Sequence, residues 1–266
     1  MLRNKISILF VVSLFLFGCA VVPITGRKQF SLISNAQLLS LSQTNYQQVL
    51  NESKLSKDFL KTKMVERVGN KIASATEQFL RENNMADQIE DYQWEFKLID
   101  DAKVVNAFCM PGGKIGVYTG IMEVAKDDEG MATVLAHEVA HAIANHAGER
   151  VSQSLLVELG GATLSDALSK NPSKTSQILM LAYGIGTNVG ILLPYSRTQE
   201  LEADRIGLIL MAKAGYDPRS AIPFWERMNE KAKSRPLEFL STHPAPERRI
   251  EDIRKTMPEA LEYYKN

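Results

Sequence analysis

Ala136-His137-Glu138-Val139-Ala140-His141-Ala142-Ile143-Ala144 carries the pattern H-E-x-x-H in a chain of 266 residues with only four histidines. Residues four apart on a helix lie one above the other, so His137 and His141 aim at one point in space. Two neutral imidazoles meeting there make half of a zinc site, with a glutamate beside the first of them. The order suits hydrolysis: the histidines hold the metal, the metal acidifies water, and Glu138 takes the proton as that water attacks a carbonyl. Met131, Leu135, Val139 and Ile143 recur every fourth residue, so the spacing predicts a helix apolar on its core side with the histidines facing a cleft. Asp127, Asp128 and Glu129 stand where carboxylates favour a helix N-terminus.

A catalytic zinc normally takes three protein ligands. His146 follows His141 by five residues, whereas the three-histidine pattern H-E-x-x-H-x-x-G-x-x-H needs six and a glycine where this chain has Ala144. His146 is therefore expected at a helix end or supporting a ligand. A second helix opens at Ser196, which forms a capping box with Gln199 and has Gly215 as its C-terminal stop. Glu200 and Asp204 share one face of it, Glu202 points about 200° away from Glu200, and Gly207 leaves room for a neighbouring helix. This favours Glu200 as third ligand and Asp204 as the acceptor that orients a ligand imidazole, against the alternative of an exposed acidic helix start.

H-E-x-x-H followed by Ser196-Arg197 and Glu200-Leu201-Glu202-Ala203-Asp204 resembles the HtpX/BepA-type zinc metallopeptidases, relatives of the CAAX prenyl proteases. Pro23-Ile24-Thr25-Gly26-Arg27 is similar to the mature N-terminal segment of their periplasmic lipoprotein branch. Asn106-Ala107-Phe108, Pro111-Gly112-Gly113 and Val117-Tyr118-Thr119-Gly120 resemble the segment before the zinc helix, and His243-Pro244 with Arg249-Ile250 resembles the family's C-terminal H-P motif. The resemblance implies an α+β zincin fold, mostly helical with a small sheet beside the H-E-x-x-H helix, and one Zn2+ per chain. It independently selects Glu200 as third ligand and places Asn106, Ala107 and Phe108 along an extended substrate. It also brings His243 near the metal, either as donor to a tetrahedral oxyanion or as an occupant of the open position that keeps the enzyme latent.

Arg3 and Lys5, the apolar run Ile6 to Phe17, and Leu16-Phe17-Gly18-Cys19 have the form of a lipoprotein leader and cleavage site. The expected organisation is a signal peptide over 1–18, a lipidated arm over 19–34 beginning at Cys19, and a metallopeptidase domain over 35–266. Such a protein faces the periplasm and is held by acyl chains, with Ala20 after the cysteine resembling lipoproteins sent to the outer membrane. The chain has 31 basic and 31 acidic residues; without Arg3 and Lys5 the balance is 29 to 31, a formal charge of −2. No basic stripe suits a nucleic acid. Cys109 is left without a disulfide partner and is expected to be a small strand residue.

Helical patterns cover 35–52, 57–83, 150–168, 219–233 and 246–263, with strands over 92–98, 104–110 and 114–119. The apolar stretch 178–193 is short for a membrane span and is broken by Gly184, Gly186, Thr187, Asn188 and Gly190, so it is read as a helix over the site or a lid. The expected substrates are unfolded or misassembled envelope proteins. The competing readings are a chaperone or assembly factor whose peptidase is latent behind His243, and a purely structural zinc site.

Overall fold

The computed structural model describes residues 19–22, 25–159, 176–178, 180, 195–234, 236–244 and 248–265. Two short antiparallel strands, β1 (Cys19–Val21) and β2 (Lys28–Phe30), open it. Helix α1 (Asn35–Glu52) starts at a Ser34/Gln37 capping box, and α2 (Phe59–Glu82) starts at Asp58, whose side chain accepts from the Lys61 amide. A three-stranded sheet follows, made of β3 (Glu95–Ile99), β4 (Ala107–Met110) and β5 (Lys114–Tyr118) in the order β3-β5-β4. Strands β3 and β5 are parallel, and β4 pairs antiparallel with β5 across the Pro-Gly-Gly turn, leaving β4 at the sheet edge.

The remaining described helices are α3 (Met122–Ala125), α4 (Asp128–Ile143), α5 (His146–Leu159), α6 (Arg197–Lys213), α7 (Ala221–Ala232), α8 (Glu238–Thr242) and α9 (Arg249–Glu262). The α+β expectation of a mostly helical chain with a small sheet beside the H-E-x-x-H helix holds. The strands are shorter than their patterns suggest because neighbouring backbone pairs elsewhere. The Gln93 amide donates to the Gly112 carbonyl, and the Val105 carbonyl accepts from Phe239 at 3.0 Å rather than from a strand. The helix expected over 150–168 begins earlier, at His146, directly after Asn145 turns the chain with a left-handed φ of 52°. Its pattern past Leu159 lies outside the described residues, as do 1–18, Pro23 and Ile24, and nearly all of 178–193. Among the described residues no helix is long and apolar enough to cross a membrane.

Helix α4 is the hub. It packs against α2, α6, α7 and the edge strand β4. The expectation of one apolar side and one cleft side is corrected here: every residue of α4 from Gly130 to His141 is buried. Alanines and a glycine interleave with the larger apolar residues, so neighbours approach on all sides and the histidines face another helix instead of a wide groove. Asp127 caps the N-terminus, accepting from the Gly130 amide at 2.9 Å.

The approach of α6 to α4 is set at Gly207. A Cβ there would lie 3.2 Å from the His137 amide nitrogen and 3.3 Å from Ala136 backbone atoms. Replacing Gly207 with valine adds branched methyls at this crossing and is expected to cost about 1–3 kcal/mol, read as a lowered midpoint in denaturant unfolding. A midpoint equal to the parent's would show that the crossing at Gly207 has room for a side chain.

Candidate metal centre

Helix α4 supplies His137, Glu138 and His141, and α6 supplies Glu200 and Asp204, the latter helix fixed at its start by the Ser196/Gln199 capping box. The loop after α8 supplies His243, whose amide donates to the Phe239 carbonyl at 2.8 Å. His137, His141, Glu200 and His243 are all buried, and one ligand atom of each lies within 4.8 Å of the others. His137 Nε2 is 3.1 Å from His141 Nε2 and 3.4 Å from Glu200 Oε2, while His141 Nε2 is 3.3 Å from Glu200 Oε1. His243 Nδ1 sits 3.3 Å from His137 Nε2 and 3.1 Å from Glu200 Oε1.

These spacings suit a metal. Donors about 2.0–2.1 Å from a common tetrahedral centre are separated by about 3.3–3.4 Å, and neutral imidazoles with a carboxylate form a donor set typical of zinc-like cations. Burial holds His141 well below the ordinary imidazole range, so its ring is neutral and able to ligate. Burial opposes a charge on His137 too, but the Asp204 and Glu200 carboxylates outweigh it and lift His137 to about 9. That pair of anions demands a positive charge at the His137 ring, which a divalent cation at Nε2 would supply.

Glu138 is buried and its Oε1 has no hydrogen-bond partner among the described residues; His243 Nε2 stands 3.5 Å from it. Burial, with the Glu200 charge adding to it, pushes the Glu138 carboxyl up to about 8, although His137 pulls the other way. A carboxyl that exchanges its proton near neutral pH is suited to general acid–base work. Asp204 Oδ1 lies 3.1 Å from His137 Nδ1, the position from which it fixes the ring with Nε2 free for the metal. Glu202 faces away from this cluster, as its spacing from Glu200 requires.

Three residues of the centre went without a role in the sequence reading. Arg249, at the start of α9 and 2% exposed, donates from Nη1 to Glu200 Oε2 at 2.9 Å and from Nη2 to Asp204 Oδ1 at 2.6 Å. Its guanidinium lies 3.5 Å above the Trp225 ring, a cation–π contact inside the core. Tyr195 stacks on His141 at 3.8 Å, and the Arg150 guanidinium covers its other side at 3.3 Å. Arg249 stood inside the quoted H-P motif, but no periodicity marks an arginine as an internal counter-ion. Tyr195 gives no signal at all before the chain is folded.

Asn106, Ala107 and Phe108 lie at or in the edge strand β4, with all three side chains buried. The Phe108 ring fills the place of a side chain at Gly116, where a Cβ would meet it at 2.3 Å, and packs edge-on against Tyr46. Any contact made there with an extended peptide is therefore main-chain. Cys109 is buried in the same strand, and burial pushes its thiol well above the ordinary range, as for an inert packing residue.

Residues 61–257 match peptidase family M48. The chain is 36% identical over 248 residues to the mitochondrial metalloendopeptidase OMA1 of Schizosaccharomyces pombe, covering 90% of this chain and 66% of that protein. It is 31% identical over 265 residues to the mitochondrial metalloendopeptidase OMA1 of Homo sapiens, covering 97% of this chain and 49% of that protein. Against the beta-barrel assembly-enhancing protease of Escherichia coli (strain K12) it is 27% identical over 238 residues, which is 88% of this chain and 46% of that protein. The chain thus spans from about half to about two thirds of the length of these relatives, and they place it in the family without choosing its branch. On the family match and these identities, the chain belongs to peptidase family M48 and is a metalloendopeptidase, a hydrolase of peptide bonds.

Proposed function

We propose that this protein is a zinc-dependent endopeptidase of the bacterial cell envelope that cuts unfolded or misassembled envelope proteins. The observation that carries the chemistry is the buried convergence of His137, His141 and Glu200, with Glu138 on the adjoining turn. Zinc, when bound, supplies a Lewis acid that polarises a carbonyl and lowers the pKa of water. His137, His141 and Glu200 hold it; Asp204 and Arg249 keep His137 and Glu200 in register. Glu138, buried beside the ligand His137, accepts the proton of the attacking water and passes it to the leaving amine. The outer edge of β4 at Asn106, Ala107 and Phe108, where the Ala107 amide donates to Asn106 Oδ1 at 3.0 Å, would offer backbone groups to an extended substrate once that contact is exchanged, which selects little sequence and suits unfolded chains.

The envelope location rests on the leader-like residues 1–18 and on Cys19 as the acylated residue, with 19–34 as the arm and 35–266 as the peptidase domain. The likeness to the Escherichia coli assembly-enhancing protease favours it. The lipid tether brings the membrane as a partner; nothing in the charge balance suits nucleic acid.

A second reading is favoured by one distance set. His243 Nδ1 stands 3.1 Å from Glu200 Oε1 and 3.3 Å from His137 Nε2, at the fourth corner of the donor cluster. A ligand there closes the position a substrate carbonyl needs, so in this arrangement the peptidase is latent and the protein acts mainly as a chaperone or assembly factor until the loop moves. Burial holds His243 down to about 4, hence neutral and able to ligate.

Full-length protein with measured zinc content should cleave an unfolded test protein, and Glu138→Gln should lower the rate about 10²–10⁴-fold while keeping its zinc. Equal rates would remove Glu138 as the base. His243→Ala should raise cleavage on the order of tenfold if the fourth corner is a gate; a fall instead would assign His243 to oxyanion stabilisation. Cys19→Ser should abolish incorporation of labelled palmitate in cells, and persistent labelling would move the anchor elsewhere.

A further inference from the structure

The residues Thr25 and Arg27, part of a sequence motif that the mechanism leaves unused, reach the metal centre from behind. Arg27 Nε donates to Glu202 Oε2 at 2.8 Å, and its Nη1 and Nη2 donate to both oxygens of Glu149 at 2.9 Å. Thr25 Oγ1 donates to Glu202 Oε1 at 2.6 Å. One arginine therefore ties α5, through Glu149, to α6, through Glu202. Gln199 closes the same corner, donating to Glu149 Oε2 at 2.8 Å. Glu202 in turn lies 3.2 Å from His146 Nε2, and His146 Nδ1 lies 2.8 Å from His141 Nδ1.

These contacts have one consistent proton arrangement when His141 ligates through Nε2. His141 Nδ1 then carries the hydrogen and donates to His146 Nδ1, leaving His146 Nε2 to donate to Glu202. Glu202 must be fixed to accept it. The Thr25 hydroxyl and the Arg27 guanidinium each donate to this same carboxylate and hold it in place as the acceptor. A metal-bound imidazole commonly donates its second N–H to a carboxylate, which sets its tautomer and aim. Here a second imidazole stands between the two, and the carboxylate is held from the N-terminal arm.

We propose that Arg27 and Thr25 are positioning residues for zinc, acting on the ligand His141 through Glu202 and His146, so that the arm following Cys19 sets the metal affinity of the site. This rests on the reading of His137, His141 and Glu200 as zinc ligands. The arm is thereby a working part of the centre and not only a tether: a pull or a cut that lifts Arg27 off α5 and α6 loosens the metal some distance away.

The test is the zinc dissociation constant of the full-length protein, measured by competition with a chromogenic chelator, together with the visible spectrum of its cobalt(II) form. Arg27→Gln and Glu202→Gln should weaken zinc binding about tenfold, shift the cobalt bands, and lower kcat with KM held. Arg27→Lys keeps the charge but reaches one carboxylate, so it should restore part of the affinity. Arg81→Gln, which breaks an exposed pair with Glu77 one turn away on α2, should leave zinc affinity and spectrum at parent values. Where Arg27→Gln does not fold, Thr25→Val carries the test, since it keeps the side chain's shape and removes the hydroxyl that donates to Glu202 and accepts from the Arg27 amide at 3.4 Å. Parent affinity and parent spectrum in the folded arm variants overturn the inference alone. A parent protein that takes up no zinc overturns the proposed function and this inference with it.

Discussion

Two carboxylates sunk among imidazoles, Glu200 and Asp204 against His137 and His141, are the constraint on which the rest of the structure depends. Burying such a pair without compensation is expensive, because charges in a low-dielectric interior must be paired and hydrogen-bonded. Arg249 answers both at once, bridging Glu200 and Asp204 with its fixed fork of donors. Trp225 beneath it replaces water on the face of the guanidinium. Helices α7 and α9 are thus required by the electrostatics of α6. Removing one member of such a network exposes the others to the full desolvation cost, so Glu200, Asp204 and Arg249 stand or fall together.

Much of this was legible in the sequence because the informative interactions are local. The i, i+4 spacing of His137 and His141, the carboxylates of Asp127, Asp128 and Glu129 at a helix start, the Ser196/Gln199 box and the shared face of Glu200 and Asp204 all follow from helix geometry, and the structure places each accordingly. The strand segments were found but drawn too long, since alternation reports which residues are half-buried and not which backbone groups pair. The burial of α4 on every side was misread for a related reason. A stripe of larger apolar residues looks one-sided when its other positions are alanine, yet alanine is what permits a helix to be surrounded.

What stayed hidden is what the chain brings together from afar. Arg249 meets Glu200 across 49 residues, Tyr195 covers His141, and Arg27 meets Glu202 across 175 residues. None of these leaves a periodic trace. An arginine read alone is a solvated charge, and only the fold shows that its partners are already waiting in the interior. Glu202 illustrates the point: helix geometry turned it away from the face of Glu200 and Asp204, but could not say that Thr25, Arg27 and His146 meet it on the other side.

The result is an α6 whose acidic residues work in opposite directions. Glu200 and Asp204 face His137 and are held by Arg249, near the C-terminus; Glu202 faces His146 and is held by Arg27, near the N-terminus. Both ends of the chain therefore converge on one helix, each with an arginine between two carboxylates. The two arginines differ in exposure: Arg249 is sealed in the core, while the Arg27 side chain is about a quarter accessible. A sealed pair is part of the fold and opens only with it. A partly wetted pair is screened, contributes less to stability, and can separate while the rest stays folded. Of the two supports for the centre, the one at the N-terminal arm is therefore the one that can be withdrawn.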